Sequence, residues 1–302
     1  MPASVFSGLA LSLTASLAWS GLDAARKRLA NELDPFALVA LITLATAPVF
    51  FVLASLDGAW VWDQRYWLPA LASLILNGTA NVLFMWSIRL SPLSLTVPYL
   101  SLTPVFSTIL ANLILGESFE FIQKIGLVSI LLGALVLAPS NLPKNTQQRL
   151  RWGRGSLMMC MVALLWSCTA VFDKLALQHA SVGAHAFIQS CGMGLIVLLI
   201  LAGQQRIQEL SRLWTYKWLC LASFILAIIA LIFQLMAIKV VLIGFYETIK
   251  RALGMFMAIV LGRLLFKEPI TWGKIVAVIL LALGTGLLLM YSPISNGMLE
   301  RR

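Results

Sequence analysis

The chain has little charge for its length. Of its 302 residues only 11% are Asp, Glu, Lys or Arg, whereas 60% are hydrophobic, and the mean hydropathy is +0.93. Soluble globular domains contain about 25% charged residues, so this chain has too few to cover a water-exposed surface. The composition therefore predicts an integral membrane protein that crosses the bilayer several times. It excludes a separate soluble catalytic or nucleic-acid-binding domain of ordinary size.

Residues that hold metals or form disulfides are also scarce. The chain has two histidines and four cysteines, and no pair of cysteines has CxxC spacing. The sequence also lacks HExxH, GxSxG and a DxxxD pair within an apolar segment. These absences argue against a zinc site, a disulfide framework and an intramembrane enzyme, and we expect neither a metal nor a cofactor. The net charge of +10 is scattered, which favours lipid headgroups over nucleic acid as partners.

Apolar segments broken by charge, proline or glycine predict an all-α protein with ten transmembrane helices. At about 20 residues per span, ten spans leave only short connections. The longest polar stretch is Pro139–Gly155, and it divides the chain near its middle. The predicted spans are 4–26, 35–56, 66–88, 93–115, 120–138, 155–177, 183–203, 215–238, 242–266 and 270–291.

The two halves of the chain resemble each other, which predicts two five-helix units at residues 1–140 and 155–302, joined by a polar linker at 141–154. The matching positions are Trp19 with Trp166, Lys27 with Lys174, and Glu117 with Glu268. Because five is an odd number of spans, the second unit must be inserted upside down. Inverted repeats place a substrate site near the bilayer midplane and expose it to each side in turn.

Three motifs give the chain a resemblance to a known family. The first span ends in Trp19-Ser20, the fourth contains Pro98 and Pro104 and runs into Leu115-Gly116-Glu117, and the ninth runs into Phe266-Lys267-Glu268. Together they resemble the EamA-like branch of the drug/metabolite transporter superfamily. The resemblance implies two inverted five-helix repeats around a central cavity, in the cytoplasmic (inner) membrane of a bacterium, and transport of small metabolites.

The ninth span contains the strongest candidate for a substrate site. Lys250 and Arg251 lie roughly 12 to 14 Å from the start of that helix, near the midplane of a core about 30 Å thick. Glu247 precedes them by three and four residues, so it can pair with either base but cannot neutralise both. The remaining base would bind a carboxylate or phosphate. A Lys-Arg pair here is similar to that of the plastid sugar-phosphate translocators. The alternative is that both bases reach out to the membrane interface.

Other polar and aromatic residues are candidates for the walls of the same cavity. The two asparagines share a helix face and would either bind substrate or link helices. The tryptophans would stack on substrate or anchor their helices at the interface. These candidates are Asn77, Asn81, Tyr99, Thr103, Trp19 and Trp166.

We also expect particular locations and roles for charged residues near the ends of the predicted spans. We expect Asp173, Lys174 and Arg26 to lie at the membrane interface rather than in the interior, because buried charges are costly. Glu117 and Glu268 should cap helices or form pairs at loops. His185 can titrate near neutral pH, which leaves a structural role and a proton-coupling role both open.

These features predict a secondary transporter that moves a small anionic or zwitterionic metabolite, such as an amino acid or a phosphorylated compound, by alternating access. Transport could be coupled to protons or other ions. The alternatives are a translocator of a lipid-linked precursor and, with less support, an integral membrane enzyme.

Overall fold

The computed structural model describes residues 3–29, 32–56, 58, 60, 63–90, 97–117, 120–136, 146–266 and 272–289. Across these ranges the chain forms ten α-helices and three short 3-10 helices. The α-helices are α1 Ala3–Leu29, α2 Pro35–Leu56, α3 Trp67–Leu90, α4 Thr103–Leu115, α5 Phe121–Val136, α6 Thr146–Ala176, α7 Val182–Gly203, α8 Lys217–Val240, α9 Ile243–Phe266 and α10 Trp272–Leu289. The 3-10 helices are Gln64–Tyr66, Val97–Leu102 and Ile207–Tyr216.

Two helices differ from the expected spans. α6 begins at Thr146, so most of the predicted polar linker at 141–154 is helical. Its residues 146–152, TQQRLRW, contain neither proline nor glycine, and nothing in them opposes a helix. In the described part of the predicted fourth span, residues 97–115, a 3-10 helix at Val97–Leu102 leads into α4. Pro104 lies in the first turn of α4 and cannot continue an α-helix that precedes it.

Several helix ends are set by local hydrogen bonds. Asp34 precedes α2 and accepts from the amides of Phe36 and Ala37 at 2.9 and 3.0 Å. Ser181 caps α7 in the same way, through Ala184 N at 3.1 Å. α4 ends at Gly116, whose φ of 69° is the left-handed conformation that favours glycine. These residues fix where each helix enters the bundle.

Five segments in the described part of the chain are long and apolar enough to cross a membrane. They lie at Phe36–Leu56, Gln64–Ser87, Gly153–Ala176, Val182–Gly203 and Ile207–Val240. α1 and α9 also have the length of a span but contain charged residues. The protein is therefore a multi-pass integral membrane protein built from helices.

The most extensive helix contacts join the first half of the chain to the second. α3 packs on α6, α2 on α7, α1 on α8 and α5 on α10. α1 also packs on α9, α4 on α6 and α4 on α9. If each helix is replaced by its counterpart in the other half (α1 by α6, α2 by α7 and so on, in both directions), the same set of helix pairs results.

The connections between helices lie on two opposite faces. Asp63 contacts His179 at 2.9 Å, and Glu117 accepts from Ile243 N at 2.9 Å. These contacts bring the α2–α3, α4–α5, α6–α7 and α8–α9 connections to one face, which we call the short-turn face. Asp34 pairs with Arg206, so the α1–α2 and α7–α8 connections lie on the opposite face.

The α2 and α7 backbones approach each other closely at Gly183. A Cβ atom on Gly183 would lie 2.7 Å from Ala54 N and 3.0 Å from Leu53 C, which are backbone atoms with little freedom to move. Glycine is therefore required here by the approach of the helices rather than by its own φ angle.

Replacing Gly183 with alanine should separate α2 from α7 and destabilise the fold by about 1–3 kcal/mol. The measurement is thermal unfolding of the purified protein in detergent. Gly203→Ala is the matched control on the same helix, because a Cβ there has nothing within 4 Å. Equal stability of the two variants would contradict the close approach.

Candidate functional site

A polar cluster joins α1, α8 and α9 in the middle of the bundle, and Gln234 is its centre. Gln234 Oε1 accepts from Trp19 Nε1 at 2.8 Å, from Tyr246 OH at 2.8 Å and from Lys250 Nζ at 3.1 Å. One acceptor thus orients an indole, a phenol and an ammonium group. The sequence offers one clue to Gln234: it is an uncharged amide in the otherwise apolar segment LAIIALIFQLMAI.

The three ionisable residues predicted on α9 lie together in this cluster. Glu247 is 3% exposed, and its Oε1 and Oε2 lie 3.8 Å from Lys250 Nζ and 3.9 Å from Arg251 Nη2. These separations exceed hydrogen-bond length, so both pairs are loose. Glu247 Oε2 and Arg251 Nε are buried without a hydrogen bond. The cluster therefore contains donor and acceptor capacity that its own side chains leave unused.

Aromatic rings flank both cations. Lys250 Nζ lies 5.0 Å from the centre of the Trp19 ring, and the Arg251 guanidinium lies 5.8 Å from that of Trp166. Both distances are within the range of cation–π attraction. Trp19 and Trp166 thus occupy matching positions of the two halves and face neighbouring cations of α9.

Two further charged residues of α1 extend the cluster toward the opposite face. The Asp23 side chain is 71% exposed and lies 3.9 Å from Arg26, whose guanidinium is 5.7 Å from the Trp19 ring. A carboxyl group inside a span faces water or protein rather than lipid. Arg26 lies in the last turn of α1 and is partly exposed, and sequence analysis missed Asp23.

Burial along α9 shows which end of the cluster is closed. Residues 241–249 are all buried, whereas Lys250 and Arg251 are partly exposed. Gly8 at the start of α1 lies against Val241 on the short-turn face. The cluster is therefore sealed on the short-turn face and reachable from the opposite face.

A buried ion pair holds the sealed end together. Lys174 Nζ donates to Glu117 Oε1 at 2.5 Å and to the carbonyl oxygen of Val241 at 2.8 Å. Glu117 Oε2 accepts from Ile243 N at 2.9 Å. The pair thus links α6, the α4–α5 turn and the α8–α9 turn. The interfacial place expected for Lys174 is wrong, since it is 7% exposed and its charge is matched by Glu117. Glu268, which matches Glu117 in the second half of the sequence, lies outside the described residues.

A second buried polar group lies beside this pair. His185 Nε2 is 3.1 Å from Asp173 Oδ1, and His185 Nδ1 is 3.0 Å from Tyr66 OH. Ser73 donates to the same oxygen of Asp173. Asp173 was also expected at the interface, but it is 6% exposed because these partners surround it. The serine bonds the carboxylate rather than the imidazole, which is not the arrangement of a serine nucleophile with its base.

The remaining candidate residues are engaged elsewhere. Asn81 Nδ2 donates to the carbonyl and side-chain oxygens of Asn77 at 2.8 and 3.1 Å, so these bonds stay within α3. Thr103 is buried at the start of α4, where its hydroxyl donates to Leu100 O at 2.6 Å. Tyr99 is 38% exposed in the preceding 3-10 turn. None of the contacts described for these four residues reaches Lys250 or Arg251.

Comparisons with known proteins agree with this architecture. The EamA-like transporter family matches the chain twice, at residues 6–138 and 153–290. A relative from Enterobacter sp. (strain 638), the probable 4-amino-4-deoxy-L-arabinose-phosphoundecaprenol flippase subunit ArnE, is 32% identical over 74 residues, 24% of this chain and 69% of that protein. A protein of known crystal structure has the same fold, with a TM-score of 0.74 and 16% identity over 95% of this chain and 97% of that one.

Proposed function

Because the chain belongs to the EamA-like transporter family, we propose that it is a secondary carrier for a small organic anion or zwitterion, with Lys250 and Arg251 as its anion-binding groups. The observation that carries the proposal is the charge of the α9 cluster. Glu247 compensates at most one of the two neighbouring bases, and its pairing distances of 3.8 and 3.9 Å leave both within reach of another anion.

The aromatic residues support an organic rather than an inorganic substrate. Trp19, Trp166 and Tyr246 surround the two cations, and the flat faces of such side chains pack well on sugar or aromatic rings. Asp23, near the open end, would attract an amino group. A solute with a phosphate or carboxylate at one end and an amine at the other suits both sets of charges.

The mechanism proposed for this carrier is alternating access between two inverted five-helix repeats, with ten spans in all. The supporting observation is that the pattern of helix contacts is unchanged when the two halves are exchanged. In one state the protein is closed on the short-turn face and open on the opposite face. Exchanging the conformations of the two halves gives a second state of similar energy, which is open on the short-turn face and closed on the opposite face.

A translocator of a lipid-linked precursor is the second candidate, favoured by the relative named as a flippase subunit for an aminoarabinose linked to a polyprenol phosphate. Its headgroup would carry the amine and the phosphate that the cluster suits. In both cases we place the protein in the cytoplasmic membrane of a bacterium.

Transport by purified protein in liposomes tests the proposal and separates its two forms. If the protein is a carrier, liposomes that contain it should release trapped, labelled sugar phosphates or amino acids faster than protein-free liposomes loaded with the same solutes. A translocator should instead move an aminosugar linked to a polyprenyl phosphate between leaflets, measured by its access to a reagent outside the vesicle. If neither cargo moves under any ion gradient, the proposed function is wrong.

A further inference from the structure

Gln234 Oε1 accepts more hydrogen bonds than its lone pairs can serve equally well. An amide oxygen has two lone pairs, yet three donors converge on this one, from Trp19, Tyr246 and Lys250. The bonds from the indole and the phenol are 2.8 Å long, whereas the bond from the Lys250 ammonium is 3.1 Å long. The Lys250 bond is therefore the weakest of the three and the first to be given up.

The other two donors fix the position of Gln234 itself. Trp19 lies on α1, in the first half of the chain, and Tyr246 lies on α9, in the second half. Tyr246 is fully buried. Because both helices bond the same oxygen, the Gln234 side chain stays in place between them when Lys250 leaves it.

Glu247 competes with Gln234 for the Lys250 ammonium. Glu247 and Lys250 are three positions apart on α9, a spacing at which glutamate and lysine side chains pair. In a close pair the ammonium nitrogen and a carboxylate oxygen approach to about 2.7–2.9 Å. Here Lys250 Nζ and Glu247 Oε1 are 3.8 Å apart, while the same nitrogen is bonded to Gln234. The geometry is that of an ion pair held open by a neutral acceptor.

A neutral acceptor suits a cation that must later bind an anion. Hydrogen bonds to an uncharged amide oxygen are weaker than those to an anionic oxygen, so the ammonium leaves Gln234 readily for a phosphate or a carboxylate. If Lys250 were instead paired closely with Glu247, it would offer little positive charge to a substrate. Lys250 is partly exposed, so an anion that enters from the opposite face can reach it.

We propose that Gln234 is a positioning residue of the carrier: in the empty protein it holds Lys250 away from Glu247, and it releases the ammonium to the substrate anion on binding. This rests on the proposed function, because it concerns the same anion site. Gln234 acts through the position of Lys250 rather than by contact with the substrate. The effect of replacing Gln234 must therefore depend on whether Glu247 can capture Lys250.

A double-mutant cycle tests this dependence. Gln234→Met keeps the length of the side chain but removes the acceptor, and it should weaken the binding of radiolabelled inorganic phosphate to the protein in nanodiscs by roughly 10-fold. In a Glu247→Gln background the same change should weaken binding by less than about twofold, because position 247 then has no carboxylate to capture Lys250. Gln189→Met is the matched control, since it removes an amide of α7 that donates to Ala70 O at 2.9 Å, and it should leave binding unchanged.

A crystal structure of the Gln234→Met variant tests the geometry without any ligand. We expect Lys250 Nζ to lie within about 3.0 Å of a carboxylate oxygen of Glu247. If Lys250 Nζ stays more than about 3.5 Å from both oxygens, the inference is wrong, whatever the protein binds.

The results also separate this inference from the proposed function. If Gln234→Met leaves phosphate binding unchanged, or weakens it equally with and without the Glu247 carboxylate, Gln234 does not position Lys250 and the inference is wrong, while anion binding in the cluster stands. If the wild-type protein binds no phosphate but Lys250 pairs with Glu247 in the variant structure, the positioning role stands and the anion site of the proposed function fails.

Discussion

Transport of an anionic substrate is expected to fall by roughly 100-fold or more in the Arg251→Ala variant, since losing one partner of a buried charge pair costs about 2–5 kcal/mol. Arg251 should matter more than Lys250. The Lys250 ammonium already donates to Gln234, whereas Arg251 Nε has no hydrogen bond and its nearest carboxylate oxygen is 3.9 Å away. Arg251→Lys should retain part of the activity, because it keeps the charge but loses the planar pair of donors.

Initial rates in liposomes across a range of substrate concentrations would measure this effect. Lys217→Ala is the matched control: it removes one positive charge from the exposed start of α8, away from the cluster. Unchanged transport in both Arg251→Ala and Lys250→Ala would mean that the substrate binds elsewhere in the bundle.

Removing Lys174 should cause the largest loss of stability of any single charge in the described part of the chain. Lys174→Ala leaves the Glu117 side chain, 4% exposed, without its partner, and it removes the hydrogen bond to the carbonyl oxygen of Val241. Breaking a buried ion pair from one side costs about 3–5 kcal/mol. The variant should unfold at markedly lower temperature in detergent.

Two comparisons would show that burial causes this loss. Arg212→Ala breaks an exposed ion pair with Glu209 and should cost less than about 1 kcal/mol. Lys174→Met combined with Glu117→Gln should recover part of the stability, because the neutral amide has no uncompensated charge and can still accept from Ile243 N. A Lys174→Ala variant as stable as Arg212→Ala would show that the buried Lys174–Glu117 pair does not stabilise the fold.

The helices were predictable from sequence because hydrophobic length and the placement of charge and proline determine where a span can lie. α2 was predicted at its observed bounds, since it has no charge and is flanked by polar residues. The start of α6 was missed because its first residues are polar, and hydropathy marks where a helix enters the lipid rather than where it begins.

The site was only partly predictable, because side-chain partners come from helices far apart in sequence. Lys250 and Arg251 stood out as costly charges in an apolar segment. Gln234 did not, because the value of a neutral amide depends on Trp19, 215 positions away. Asp173 and Lys174 were judged by their nearness to a helix end, whereas their burial depends on Glu117, Ser73 and His185 from three other parts of the chain.

Those two neighbours on α6 also bear on how the short-turn face opens. Consecutive side chains on a helix point about 100° apart, and Asp173 reaches toward α3 and α7 while Lys174 reaches toward the α4–α5 and α8–α9 turns. Any rotation of the end of α6 must strain both contacts at once. Under the proposed alternating access, the end of α6 would therefore move as one unit, because a rotation that breaks one of these contacts also disturbs the other.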